Sequence, residues 1–143
     1  MTPEDIIQKL HMAPHPEGGF YAETFRDTDN LTPENRSAST AIYYLLLEGQ
    51  ISHWHRVDAA EVWHYYAGSP LKLSIAKEGQ KANDEILGSD LLAGARPQIV
   101  VKKGDWQSAR SLGEWTLVGC TVAPGFEFSG FEMAPEIWTP SDN

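Results

Sequence analysis

The spacing of apolar positions changes once along this chain, from a helical period to a strand period. Ile6, Ile7 and Leu10 form a helical stripe behind Thr2-Pro3-Glu4-Asp5. There Thr2 can cap, Pro3 suits the first turn, and the two acids oppose the positive end of the helix dipole. The pattern predicts a short helix ending near Leu10 and packed outside the rest. Beyond it, short alternating or apolar runs are divided by turn residues such as Gly49, Gly68-Ser69-Pro70, Glu78-Gly79, Gly104-Asp105 and Pro124-Gly125. Strands are predicted over Gly19–Phe25, Ser39–Leu47, Ile51–Val57, Glu61–Ala67 and Leu71–Lys77. Others follow over Glu85–Leu87, Gln98–Lys102, Trp106–Arg110, Trp115–Val122 and Glu127–Met133. No second long helix interrupts them, which argues against a parallel α/β sheet and for one all-β sandwich or barrel over residues 1–143. There is no internal repeat, and Thr139 to Asn143 read as a loose tail.

Composition adds a bias and removes some partners. Aromatic residues make up 10% of the chain, which suits strands and pocket walls. The formal net charge is −9, so phosphate backbones and anionic lipid surfaces are poor general partners. The longest apolar stretch, near Ala41 to Leu47, is too short to span a bilayer. The acidic start carries no leader pattern, and the expectation is a soluble, cytoplasmic protein. Cys120, the only cysteine, lies in an apolar strand-like run and reads as a small core residue.

The chemistry concentrates between Gly49 and Gly68. Side chains alternate along a strand, so His53, His55 and Val57 are expected on one face, with Trp54 and Arg56 on the other. After a turn at Asp58-Ala59-Ala60, Glu61, Trp63 and Tyr65 share a face opposite to that of Val62, His64 and Tyr66. If the inward faces meet, two imidazoles and a carboxylate converge between aromatic walls. Such a set suits a metal site or an acid–base pair. The alternative for each is a satisfied core group; for His11 and His15, in a loop, exposure is the default, although His15 could approach the barrel mouth.

Gly49, His55, Glu61 and Gly68 match the spacing of the first cupin motif, with Val57 at its second histidine position. Lys102-Lys103-Gly104-Asp105-Trp106-Gln107 and Ser111 resemble a remnant of the second motif, with Gln107 where the metal-binding histidine would stand. The chain is most similar to the cupin-5 group, small proteins of largely unassigned function. The marks are His15-Pro16-Glu17-Gly18-Gly19-Phe20-Tyr21, Ser52-His53-Trp54-His55-Arg56, Glu61-Val62-Trp63-His64-Tyr65, Gly104-Asp105-Trp106-Gln107, and the run from Trp115 to Phe126. This resemblance implies a double-stranded β-helix, or jelly roll. His15 to Phe25 also resembles a segment lining the site of nucleotide-sugar epimerases of the cupin class, which marks Glu17, Tyr21 and Glu23 as rim or pocket residues.

Three functions stay open. One is a metal-independent isomerase or epimerase of a sugar or polar metabolite, needing no cofactor. In it His55 is the base, Glu61 orients it, Tyr65 or Tyr21 returns a proton, and Gln107 holds a developing oxyanion. Another is a metal-dependent cupin enzyme in which His53, His55 and Glu61 bind a divalent ion, Gln107 being a weak fourth ligand. The third is a non-catalytic module holding a small aromatic ligand against Trp63 and Tyr65, with His53 nearby. Ser39–Leu47 and Glu61–Ala67 are apolar or aromatic on both faces, from which a homodimer is expected.

Overall fold

The computed structural model describes residues 1–141. Asp142 and Asn143 of the expected tail lie outside the described residues, and 139–141 have no regular structure. Helix α1 spans Pro3–Lys9 and starts as the sequence predicts. Thr2 Oγ1 accepts from the Asp5 amide at 3.2 Å, and the Asp5 carboxylate accepts from the Thr2 amide at 2.9 Å, a closed capping box.

Among the described residues eleven strands follow: β1 (Ala13–Pro14), β2 (Phe20–Arg26), β3 (Thr40–Leu47), β4 (Ile51–Val57), β5 (Ala60–Gly68), β6 (Leu71–Ala76), β7 (Asn83–Leu87), β8 (Gln98–Val101), β9 (Trp106–Ser111), β10 (Trp115–Ala123) and β11 (Phe131–Met133). They form two sheets, ordered β1-β2-β3-β10-β5-β8 and β11-β4-β9-β6-β7, with every strand pair antiparallel. This is a jelly roll.

Two predicted strands change. The one over Glu127–Met133 is only three residues long, because Phe128–Gly130 form a 3₁₀ turn first. Gly130 sits where a Cβ would collide with the Asp58 carboxylate, at 2.3 Å from its nearest atom, and that approach turns the chain. The other gains Asn83 and Asp84, where Ser74 donates to Asp84 at 2.6 Å.

Side-chain alternation builds the core. Tyr44, Leu46, Trp63, Leu71, Leu73, Ile99 and Val118 pack between the sheets. The opposite face of β3 is also apolar, and α1 covers it: Ile6 and Met12 bury against Leu45, flanked by Tyr43, Leu47, Trp115 and Leu117. The two-faced apolar character of β3 is therefore satisfied within one chain. On β5, by contrast, outward Tyr66 remains half exposed.

At the other end of the roll the inner faces part around a cavity. One wall comes from the loop His15–Gly19, which joins β1 to β2. Gly18 has φ +107° and presses on β4 so closely that a Cβ would lie 2.1 Å from the Ile51 carbonyl oxygen. Only glycine fits there. Gly18→Ala is expected to lose about 2–4 kcal/mol in urea unfolding. Gly79→Ala, also at positive φ but in open space, should lose about 1–2 kcal/mol. Equal losses would show that the loop does not need this close approach.

Candidate active site

The cavity has a volume of about 190 Å³. Tyr21, Glu23 and Arg26 line it from β2, Thr40 and Ile42 from β3, His55 and Val57 from β4, Glu61 from β5, and Cys120 and Val122 from β10. His15 and Glu17 enter from the loop, and Phe126, Phe128 and Phe131 close it from the C-terminal side.

His55 arrives through a break in alternation. The pairing of β4 with β9 slips between Ser52 and His55, so two residues bulge outward and the inward residues are Ser52, His55 and Val57. The bulge is built into the loop contact, since the freed His53 amide donates to the Glu17 carbonyl at 2.8 Å. This corrects the expectation that His53 and His55 share a face. The His53 ring turns away, with Nε2 at 3.0 Å from the Ala134 carbonyl and 3.1 Å from that of Pro135. It pins the C-terminal segment and does not reach the cavity.

The partner of His55 is Glu17. His55 Nδ1–H points between Glu17 Oε2, at 2.9 Å, and the His53 carbonyl, at 2.7 Å. Ser52 Oγ donates to the same Oε2 at 2.6 Å. His55 is 2% and Glu17 8% exposed, so the pair is buried and its charges are compensated mainly by each other. With Nδ1 committed, Nε2 is the nitrogen left for the cavity. His15, expected in an exposed loop, is buried as well. Its Nδ1 accepts from the Glu17 amide at 3.0 Å, which assigns the proton to Nε2 and a neutral ring. The 3.4 Å approach of His15 Nδ1 to Glu17 Oε1 is accordingly no charge pair. Burial, the main influence on His15, also pulls its pKa below the ordinary value.

Glu61 lies deeper in polar company of a different kind. Gln107 Nε2 donates to Glu61 Oε1 at 2.9 Å, while Gln107 Oε1 accepts from the Trp63 indole at 2.8 Å. Both ends of the amide are engaged and Gln107 does not line the cavity, so it positions Glu61 and does not reach an occupant. Trp63 is a core residue, 1% exposed, and does not line the cavity. Tyr65 is turned toward the far end, its hydroxyl donating to the Gly68 carbonyl at 2.6 Å, so the structure does not bring this expected proton donor to His55. Tyr21 and Glu23 do reach the cavity, though Glu23 is held by Arg26 at 2.6 Å. Cys120 is buried in the core as expected, and its thiol also faces Glu61.

These placements set the charges. Burial pulls the His55 pKa down, but the Glu17 charge and hydrogen bond, then the Glu61 charge, more than reverse this, to about 9. Burial pushes Glu17 up, yet His55 outweighs it and holds Glu17 below the usual carboxylate range. Glu61 rises to about 7, because burial outweighs His55 and is reinforced by the Glu17 charge. Near neutral pH the cavity thus holds a charged imidazole, an ionised Glu17 and a Glu61 carboxyl between its two states.

The set does not fit a metal ion. Val57 offers no donor, Gln107 does not line the cavity and has both ends of its amide engaged, and His53 points elsewhere. No three His, Cys, Asp or Glu side chains among the described residues are placed to hold one. Among those residues no helix is long and apolar enough to cross a membrane.

A small antiparallel roll whose histidine and carboxylates meet in an end cavity defines a cupin. The chain belongs to the cupin-5 family: the description "Cupin superfamily (DUF985)" matches residues 4–134. It is similar to the protein SO0799 from Shewanella oneidensis, with 37% identity, TM-score 0.89, and 94% of this chain and 85% of that one covered. A hypothetical protein from Leishmania major shares 30% identity at TM-score 0.86, covering 94% and 88%. Bacillus subtilis oxalate decarboxylase, at 16% identity and TM-score 0.66, shares the fold over 90% of this chain and 31% of its own. No curated protein matches.

The sequence pairs His55 with Glu61 and marks Glu17 as a rim or pocket residue, without joining it to His55. The available signal was Gly18-Gly19, adjacent glycines directly after an acid, which mark a loop pressed against another backbone. The three phenylalanines of the closing segment carried no such signal.

Two titrations follow. In wild type the His55 ring signals should turn over near pH 9; in Glu17→Gln only the Glu61 charge and the His53 carbonyl still oppose burial, and the midpoint should fall below that of the wild type. That variant should also lose about 3–5 kcal/mol at pH 6–7, because the carboxylate that favours the charged form of the buried imidazole is gone. Since the folded pKa lies above the unfolded 6.5, the stabilisation is whole below 6.5 and disappears as pH rises through about 9. A wild-type midpoint near 6.5 by NMR, the ordinary histidine value, would show that the pair does not form.

Proposed function

We propose that this protein is a metal-independent cupin that binds one small polar molecule in the cavity and moves a proton on it, as an isomerase or epimerase does. Glu61 acts as the base, and His55, held by Glu17, as the acid. The observation that carries this reading is the unequal charging of two buried groups facing one cavity. Glu61, at about 7, is matched to proton transfer at neutral pH, whereas His55, at about 9, keeps its proton there. Groups driven apart in this way divide into donor and acceptor. The reading differs from the sequence expectation, in which His55 was the base, because the Glu17 charge was not placed beside it.

The proton on His55 Nε2 is available to a carbonyl or hydroxyl oxygen on which charge develops, and the buried Glu17 keeps the ring oriented. Phe126, Phe128, Phe131, Val57 and Val122 supply walls that exclude water and strengthen both interactions. A homodimer is proposed through the outer face of β5 and β8, where Tyr66 and Val100 are both more than half exposed.

Solvent deuterium exchange into metabolites, followed by NMR, tests the chemistry whichever product forms. Glu61→Gln should slow exchange into any responding metabolite about 10²–10⁴-fold, and Tyr65→Phe should leave it within about threefold. Undiminished exchange in Glu61→Gln would overturn the assignment. For assembly, light scattering at micromolar concentration should give twice the chain mass of 15.9 kDa; a monomer that Val100→Glu leaves unchanged would refute the dimer.

A further inference from the structure

The charges in the cavity are not balanced evenly. His55 is matched by Glu17 at 2.9 Å and Arg26 by Glu23 at 2.6 Å, so both cavity cations already have a carboxylate. Arg26 is further tied to the Phe126 carbonyl at 3.0 Å. Glu61 is the cavity carboxyl with no ion pair among the described residues; a neutral amide and a thiol are its hydrogen-bonding company. The groups facing it from the surrounding elements are His55 on β4, Glu17 on the loop, Cys120 on β10 and Tyr44 on β3, and none adds an uncompensated positive charge.

The walls opposite are aromatic in a particular way. Phe126 and Phe128 meet at 5.0 Å and 86°, Phe126 and Phe131 at 5.8 Å and 66°, and Phe128 and Phe131 at 6.1 Å and 73°. Rings set nearly perpendicular to one another offer both face and edge to an occupant, and ring faces attract cations. The volume of about 190 Å³ is below the roughly 300–1,000 Å³ of pockets for drug-sized ligands, so the occupant is of single-ring size. An anion would have to compete with Glu17 and Glu23 for His55 and Arg26, and a diphosphate would add more negative charge than these two matched cations can offset.

Resting on the reading of this cavity as a small-molecule site, we propose that it selects small planar organic cations, of the amidine or protonated aza-heterocycle class, which ion-pair with Glu61 between the rings of Phe126, Phe128 and Phe131. Nitrogen-bound hydrogens of such a cation donate to the Glu61 oxygens, and its ring lies against the phenylalanines. The cation supplies the one charge that the cavity lacks.

Benzamidinium, benzamide and benzoate have nearly one shape and three charges. Calorimetric titration of the full chain should show benzamidinium binding at least about tenfold more tightly than benzamide, and benzoate most weakly, as a charge-assisted hydrogen bond to a buried carboxylate requires. Glu61→Gln, checked for an unchanged fold by circular dichroism, should bring benzamidinium within about threefold of benzamide. The wild-type ordering needs no variant and stands if Glu61→Gln fails to fold. Benzoate binding as well as benzamidinium, a cation preference that survives Glu61→Gln, or no binding by any of the three would each overturn the proposal. Deuterium exchange reads proton transfer separately, so a loss of cation preference and a loss of turnover are told apart.

Discussion

The Glu17–His55 ion pair is the interaction on which the site end of the fold depends. Two charged groups that are each less than a tenth exposed are costly to bury, and only close pairing makes the arrangement tolerable. The pair also dictates local backbone. Glu17 reaches β4 because Gly18 lets the loop press against Ile51, and β4 receives it with a bulge whose His53 amide bonds the Glu17 carbonyl. The bulge in turn sends the His53 ring outward to hold Ala134 and Pro135, which anchors the segment following the phenylalanine wall. Loop, bulge and closing segment are thus one device.

The same pair sets the chemistry. A histidine facing a cavity without a carboxylate would titrate near or below its ordinary value, and burial would keep it neutral. With Glu17 beside it the ring holds its proton, and its charge does not suffice to keep Glu61 in the usual carboxylate range. Val57 and Gln107 stand at the two positions where the resemblance to the cupin motifs implies histidines.

The jelly roll was legible because alternation and turn residues survive in a single sequence, and α1 because its capping box is local. His55 and Glu61 could be placed inside for the same reason. His53 could not be excluded, since a bulge shifts the face of a residue without any change in composition, and the signal lies in a distant loop, at Glu17 and Gly18. Trp63 and Tyr65 do share the inward side with Glu61, but distance along β5 carries them past the cavity into the core. Apolar character on both faces of β3 pointed to another molecule, and the chain's own helix answered it; the same reasoning on β5 still leaves Tyr66 uncovered.

The Glu17–His55 ion pair organises this cavity, and the ring nitrogens of His55 report it directly. Nitrogen-15 spectra of histidine-labelled protein at neutral pH should show His55 with both nitrogens protonated. Zinc or manganese added in stoichiometric amount should leave that pattern unchanged. A chelator-reversible change at His55 Nε2, saturating at one metal ion per chain, would contradict the account.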